Sequence, residues 1–132
     1  MKIKILTLCD FAADYNGRLS LMGTTDQLTS SQFPSAPVSF SLACQFALDP
    51  DNKMGDHPVS IVFIEKESGS HIMSQQELRL SVAGSDPNVG RRLLANLIVK
   101  LDNISFPKPG TYIVNVKTED DEDDVELYVK QL

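Results

Sequence analysis

Residues 119 to 124, Glu-Asp-Asp-Glu-Asp-Asp, hold the densest run of chemistry-bearing side chains in this 132-residue sequence. Hard divalent cations take oxygen ligands, so a calcium site at a hairpin tip is one reading of Glu119 to Asp124. Contiguous acids cannot all converge on one ion, and a solvated turn that keeps edge strands apart explains the run as well. A second acidic stretch, Asp49-Pro50-Asp51-Asn52-Lys53-Met54-Gly55-Asp56-His57-Pro58, has the spaced carboxylates of an EF-hand loop. It departs from that pattern where ligation matters. Lys53 stands at the fifth position, Gly55 is one place late, and Ser60 occupies the place of the bidentate Glu.

Acid-base chemistry has little to draw on. The two histidines, His57 and His71, both fall in turn-like sequence, and Asp56 beside His57 is a neighbour that a turn would aim elsewhere. Cys9 and Cys44 sit within apolar strand patterns, as buried small hydrophobes do; they form no Cys-x-x-Cys, and a zinc set would have to be gathered from four distant places. The sequence contains no Gly-x-Ser-x-Gly, Walker loop, Gly-x-Gly-x-x-Gly or His-Glu-x-x-His. An enzyme built on carboxylates alone would need one of them buried, whereas the clustered ones lie in a solvated turn. We therefore assign no catalytic, cofactor-binding or metal-binding residue and expect no enzyme activity and no cofactor.

Charge narrows the partners. The formal net charge is −6, and the 119–124 run holds six of the eighteen acids, so the other twelve balance the twelve Lys and Arg. Arg91-Arg92 is the sole adjacent basic pair, with no basic stripe or aromatic platform around it, which argues against nucleic acid. No segment approaches the roughly 18 apolar residues of a membrane helix. Lys2-Ile3-Lys4-Ile5-Leu6-Thr7-Leu8-Cys9 is short, is interrupted by Asp10, and reads as a first strand rather than a secretory leader. A cytoplasmic protein with no membrane partner is the expectation.

The elements that would carry these residues are strands. In Ile104 to Val116, Pro107 and Pro109 fix their own φ and extend the residues before them, while Gly110 accepts angles closed to a β-carbon, so the chain turns a corner. Tyr112, Val114 and Val116 then share one face, and a strand from Val125 to Leu132 returns after the acidic turn. Asp14-Tyr15-Asn16-Gly17 marks a hairpin into a strand from Arg18 to Thr24. Gly23 within it marks a bulge or a close approach. Asp26 to Pro37 reads as an irregular crossing. Phe40, Leu42, Cys44, Phe46 and Leu48 alternate with small or polar residues as a half-buried strand, and Val59 to Ile64 is apolar on both faces. Glu65 to Ser70 is a turn, Glu77 to Val82 alternates again, and Asp86 to Gly90 supports at most one helical turn before a strand from Leu93. Past Leu101 the apolar parity moves to Ile104 and Phe106, which implies a bulge near Asp102-Asn103.

About eight strands with no long helix predict an all-β, antiparallel β-sandwich, immunoglobulin-like or related, as one domain over residues 1–132. Pro109, Gly110 and Tyr112 resemble the late-strand corner of immunoglobulin-like domains, without their Cys and Trp hallmarks. Leu8-Cys9-Asp10, Tyr15-Asn16-Gly17-Arg18-Leu19, Met22-Gly23, Phe33-Pro34, Ile104-Ser105-Phe106 through Tyr112, and Leu127-Tyr128-Val129 together resemble a family of uncharacterised small bacterial proteins. That resemblance implies one all-β domain of this length and carries no activity.

The functional expectation is a non-catalytic binding or protein-interaction module with a protein partner, the cation site at 119–124 and an unrecognised carboxylate enzyme being the alternatives. The two-sided apolarity of Val59 to Ile64 and of Lys2 to Leu8 further requires a cover, either Asp26 to Pro37 folded back across a sheet or a second copy in a homodimer.

Overall fold

Alternation of large apolar with small or polar residues turns most of this sequence into strands that each have one apolar face, and two such sheets can hide those faces only against each other. A computed structural model describes residues 1–49, 55–82 and 93–132. Among these lie nine strands and no helix: β1 (Lys2–Tyr15), β2 (Arg18–Thr24), β3 (Gln27–Ser30), β4 (Val38–Leu48), β5 (Gly55–Glu65), β6 (Gln76–Val82), β7 (Leu93–Ile104), β8 (Gly110–Lys117) and β9 (Glu122–Gln131). They form one sheet in the order β2-β1-β4-β7 and another in the order β3-β9-β8-β5-β6. Leu42, Cys44 and Phe46 of the first pack with Val59, Ile61, Phe63, Val114 and Leu127 of the second in one core. The chain is an all-β sandwich.

An edge-to-face file of rings runs through that core, with centroids 6.2 Å apart for Phe40 and Phe63, 6.0 Å for Phe63 and Phe106, and 4.8 Å for Phe106 and Tyr112. Phe106 and Tyr112 flank the proline corner, which carries the chain from β7 in one sheet to β8 in the other. The bulge near Asp102-Asn103 is present. Val38 pairs with Ile104 but Phe40 with Leu101, so β7 spends one more residue than β4 there, and Asn103 takes a φ of 55°.

Several boundaries differ from expectation. Gln27–Ser30, within the segment read as irregular, pairs with β9, and this is the one parallel ladder among the described strands. The segment therefore docks on a sheet edge rather than lying across a face. β5 begins at Gly55, so Asp56, His57 and Pro58 are strand rather than loop. β9 begins at Glu122, so Glu122, Asp123 and Asp124 belong to a strand and the acidic turn is half as long as its run of charges. The helical turn near 86–90, Arg91-Arg92 and residues 50–54 lie outside the described residues.

The largest departure concerns β4. Its alternation predicts one wet face, yet Ser41, Ala43, Gln45 and Ala47 are buried along with the inward residues. The cover is the far half of the β1–β2 hairpin. β1 pairs with β4 only up to Cys9, and beyond it pairs with β2 alone. Ala12, Leu19 and Leu21 then pack on Cys9, Ala43 and Ile98, which lie on the outer side of the sheet. The tip is fastened at the far strand, where the Asn96 amide donates to Asp14 Oδ2 and to the Gly17 carbonyl, each at 3.2 Å, and accepts from Gln45 at 3.0 Å. Asn16 and Gly17, with φ of 53° and 81°, close the tip in the left-handed pair that a two-residue hairpin needs. This arm leaves the sheet at Asp10 and Gly23. Gly23 has a φ of +68°, and the Asp10 carboxylate lies where its side chain would be.

Candidate functional site

Glu65 closes the inner face of β5, in the file His57, Val59, Ile61, Phe63, Glu65, and is paired across the ladder with Tyr112. Parity alone puts a charged side chain at the end of the core. Two hydrogen bonds hold the turn that follows: Glu65 N–H donates to the Ser70 carbonyl and Gly69 N–H to the Glu65 carbonyl, at 2.9 and 2.8 Å. Lys66 N–H reaches the Thr111 carbonyl at 3.0 Å and ties the turn to the proline corner. Across the gap the Tyr112 hydroxyl donates to the Lys108 carbonyl at 2.6 Å, so the corner is held over the same end of the sandwich. Burial first, and then the nearby Glu65 charge, raise the Tyr112 phenol against the lowering effect of that bond, so it acts as a donor and not as a base.

These walls, with Glu67, Pro109 and Gly110, enclose a half-open cavity of about 510 Å³. The Glu65 side chain is only 6% exposed, and Lys108 Nζ stands 3.0 Å from its Oε1 while the lysine side chain remains 54% exposed. Distance makes this an ion pair, but Oε1 is wholly enclosed and receives no aligned hydrogen bond. Short and poorly angled as it is, this hydrogen-bonding contact, and then the Glu65 charge, raise the Lys108 pKa, which keeps the amine protonated and unsuited to act as a nucleophile.

The acidic run does something else. The Met1 ammonium lies 2.6 Å from Asp120 Oδ2, Ile3 N–H donates to Asp121 Oδ2 at 2.8 Å, and the Thr118 hydroxyl donates to the Met1 carbonyl at 3.2 Å. Asp120 is held below the usual carboxylate range by the hydrogen bond from the chain terminus, and Asp121 by hydrogen bonds from the Ile3 and Glu122 backbone. Glu119 Oε1 meets His57 Nδ1 at 3.0 Å, and Glu122 and Asp124 both accept from Asn115. The acids thus spread along a turn and a strand and are divided among the chain terminus, the Ile3 amide, His57 and Asn115. No group of three or more His, Cys, Asp or Glu able to hold a metal occurs among the described residues.

The other residues considered from sequence are dispersed. Asp56 accepts from Ser81 on the outer face, while the buried His57 points inward to Glu119. His71 makes an isolated bridge to Ile64 at the sheet margin. Cys9 lies beneath the arm and Cys44 in the central core, both buried and free; burial pushes the Cys44 thiol up to about 12 and raises that of Cys9 as well. No helix among the described residues is long and apolar enough to cross a membrane.

Residues 4–130 match the sequence pattern of a family of unknown function, DUF6941. The chain belongs to that family. Its span takes in the arm, the corner, the Glu65 cavity and the acidic turn, so all of these lie within the DUF6941 domain. No curated protein matches the chain.

Sequence reasoning missed Glu65 and the partners of His57. Glu65 and His57 themselves sit at odd-numbered positions in step with Val59, Ile61 and Phe63, and that parity was the available signal for their inward side chains; at Glu65 the polar neighbours Lys66 and Glu67 mask it.

Proposed function

We propose that this DUF6941 protein is a non-catalytic protein-interaction module that receives an extended segment of a partner along β2. One observation carries the reading. On the outward side of the arm, Phe11 stands opposite Met22 and Tyr15 opposite Arg18, and Phe11, Met22 and Tyr15 are 57, 67 and 72% exposed. Isolated exposed apolar residues are ordinary; three on one face of a ribbon whose outer strand is, among the described residues, an edge paired only with β1 offer side-chain contacts beside an edge that can take an added strand. β2 carries a single charge, Arg18 at its first position, which leaves its edge weakly defended against added strands. Both cysteines being free and buried supports a cytoplasmic setting as part of the same proposal. The calcium alternative at 119–124 has less behind it, because those carboxylates already serve the chain terminus, His57 and Asn115.

The test is a pull-down from native cell extract with the wild type and with a Phe11→Ser/Met22→Ser variant, whose changes lie on the exposed face and should leave the unfolding midpoint in place. A protein captured by the wild type and lost by the variant supports the module. Repeated recovery of no partner, together with turnover in a metabolite screen, would move the protein to the enzyme class.

A further inference from the structure

From the corner cavity we infer a second, separate binding site, in which Glu65 accepts a guanidinium group that displaces Lys108. A carboxylate withdrawn from water needs N–H donors on its oxygens as well as a compensating charge, and leaving such an acceptor without a hydrogen bond is costly. Lys108 supplies the charge and one contact of 3.0 Å to Oε1, close enough to act as a charged hydrogen bond but poorly angled, and a lone ammonium contact leaves the two-oxygen fork of the carboxylate unmatched. Its side chain is more than half exposed on a corner between two prolines, so it can leave Glu65 for solvent without disturbing the core. A guanidinium is planar, weakly hydrated and presents parallel N–H groups that match both oxygens of a carboxylate, which an ammonium cannot do. The exchange therefore trades one misaligned charge contact for two aligned, charged hydrogen bonds at the same place.

Space and field agree with this occupant. The cavity of about 510 Å³ beside Glu65 has room for a guanidinium and a short alkyl chain. Glu65 and Glu67 stand in its wall against Lys66 and Lys108, and Lys66 is paired with Glu126 at 3.0 Å, so once Lys108 moves out to solvent the two wall carboxylates favour an incoming cation. The group can come from a small molecule or from an arginine side chain of a peptide, and the chemistry recognised is the same.

Agmatine and putrescine, which share a four-carbon chain but end in guanidinium and ammonium respectively, are titrated into the full chain at about physiological ionic strength while backbone amide signals of residues 65–70 and 108–112 are followed by NMR. A blocked Ala-Arg-Ala peptide provides the second source. We expect saturable shifts with agmatine or the peptide at concentrations about tenfold below those needed for putrescine. Glu65→Gln should remove the response while keeping the dispersed spectrum of the folded protein, and Lys108→Met should strengthen it. Response to the peptide alone assigns the group to a protein partner, and to agmatine alone assigns it to a small ligand. Equal response to agmatine and putrescine, binding that survives Glu65→Gln, or no shift with either guanidinium compound even in Lys108→Met would overturn the inference.

Discussion

The ammonium of Met1 and Oδ2 of Asp120 are 2.6 Å apart, and this contact fastens the start of the chain to the turn before its last strand. The Met1 side chain is buried with the core, and Ile3 N–H bonds to Asp121. Both carboxyls titrate below their unfolded value of about 3.9. A depressed folded pKa contributes stability that is present above the unfolded pKa and lost as pH falls through the folded one. Asp120→Asn should therefore cost about 0.5–1 kcal/mol near neutral pH, a modest figure because the Asp120 side chain is 46% exposed. The gap between wild type and variant in urea unfolding should close below about pH 4. A gap that persisted unchanged at low pH would assign the effect to packing instead.

Because these acids are committed to different partners, millimolar Ca²⁺ at low ionic strength should leave the thermal midpoint where it is. Specific binding to the native state would raise the midpoint with metal concentration. A saturable rise abolished by Asp123→Asn/Asp124→Asn would restore the cation reading of the run.

The thiols give a third test. With Cys9 under the arm and Cys44 in the core, neither should react with a neutral thiol reagent in the native state at pH 8, and both should react after denaturation without reductant. Rapid labelling of two thiols in the folded protein would contradict the burial, and labelling of none after denaturation would contradict the free state.

Tyr112→Phe removes the bond to the Lys108 carbonyl while leaving the ring file intact, and should cost about 1–2 kcal/mol in urea unfolding. It should also loosen the corner that carries Lys108. A variant as stable as the wild type would mean that the proline corner holds itself.

What the sequence makes legible is whatever follows local rules. Period two places the inward residues of β4, β7 and β8, the Asn16-Gly17 dipeptide places a turn with both φ positive, and the parity slip after Leu101 places the β7 bulge. What it hides depends on distant chain. Gln27–Ser30 is short and half polar, and becomes a strand because β9 lies alongside. Ser41, Ala43 and Ala47 look like a solvated face because small residues are common there, yet all three are buried, and at Ala43 the small side chain lets Ala12, Leu19 and Leu21 of the arm come close. Glu65 reads as part of a charged turn, and only its step with Phe63 betrays that it is inside.

The arm hinge offers the sharpest test of that cover. A β-carbon at Gly23 would lie 2.5 Å from Asp10 Oδ2, 2.9 Å from its Cγ and 3.2 Å from its Cβ, on backbone whose φ of +68° already disfavours L side chains. Gly23→Ala should thus destabilise by about 2–3 kcal/mol, combining left-handed strain with displacement of the Asp10 side chain. Asp10→Ala removes the two closest atoms, so the double variant should be more stable than Gly23→Ala alone, leaving chiefly the backbone cost of about 1–2 kcal/mol. If the hinge governs the cover, the effect is also local: Cys9 should become reactive in Gly23→Ala well before Cys44, because only Cys9 lies beneath Ala12 and Leu21. Equal rates for the two thiols would mean that the substitution unfolds the sandwich as a whole. Failure of Asp10→Ala to relieve the loss would mean that Asp10 does not set the corner.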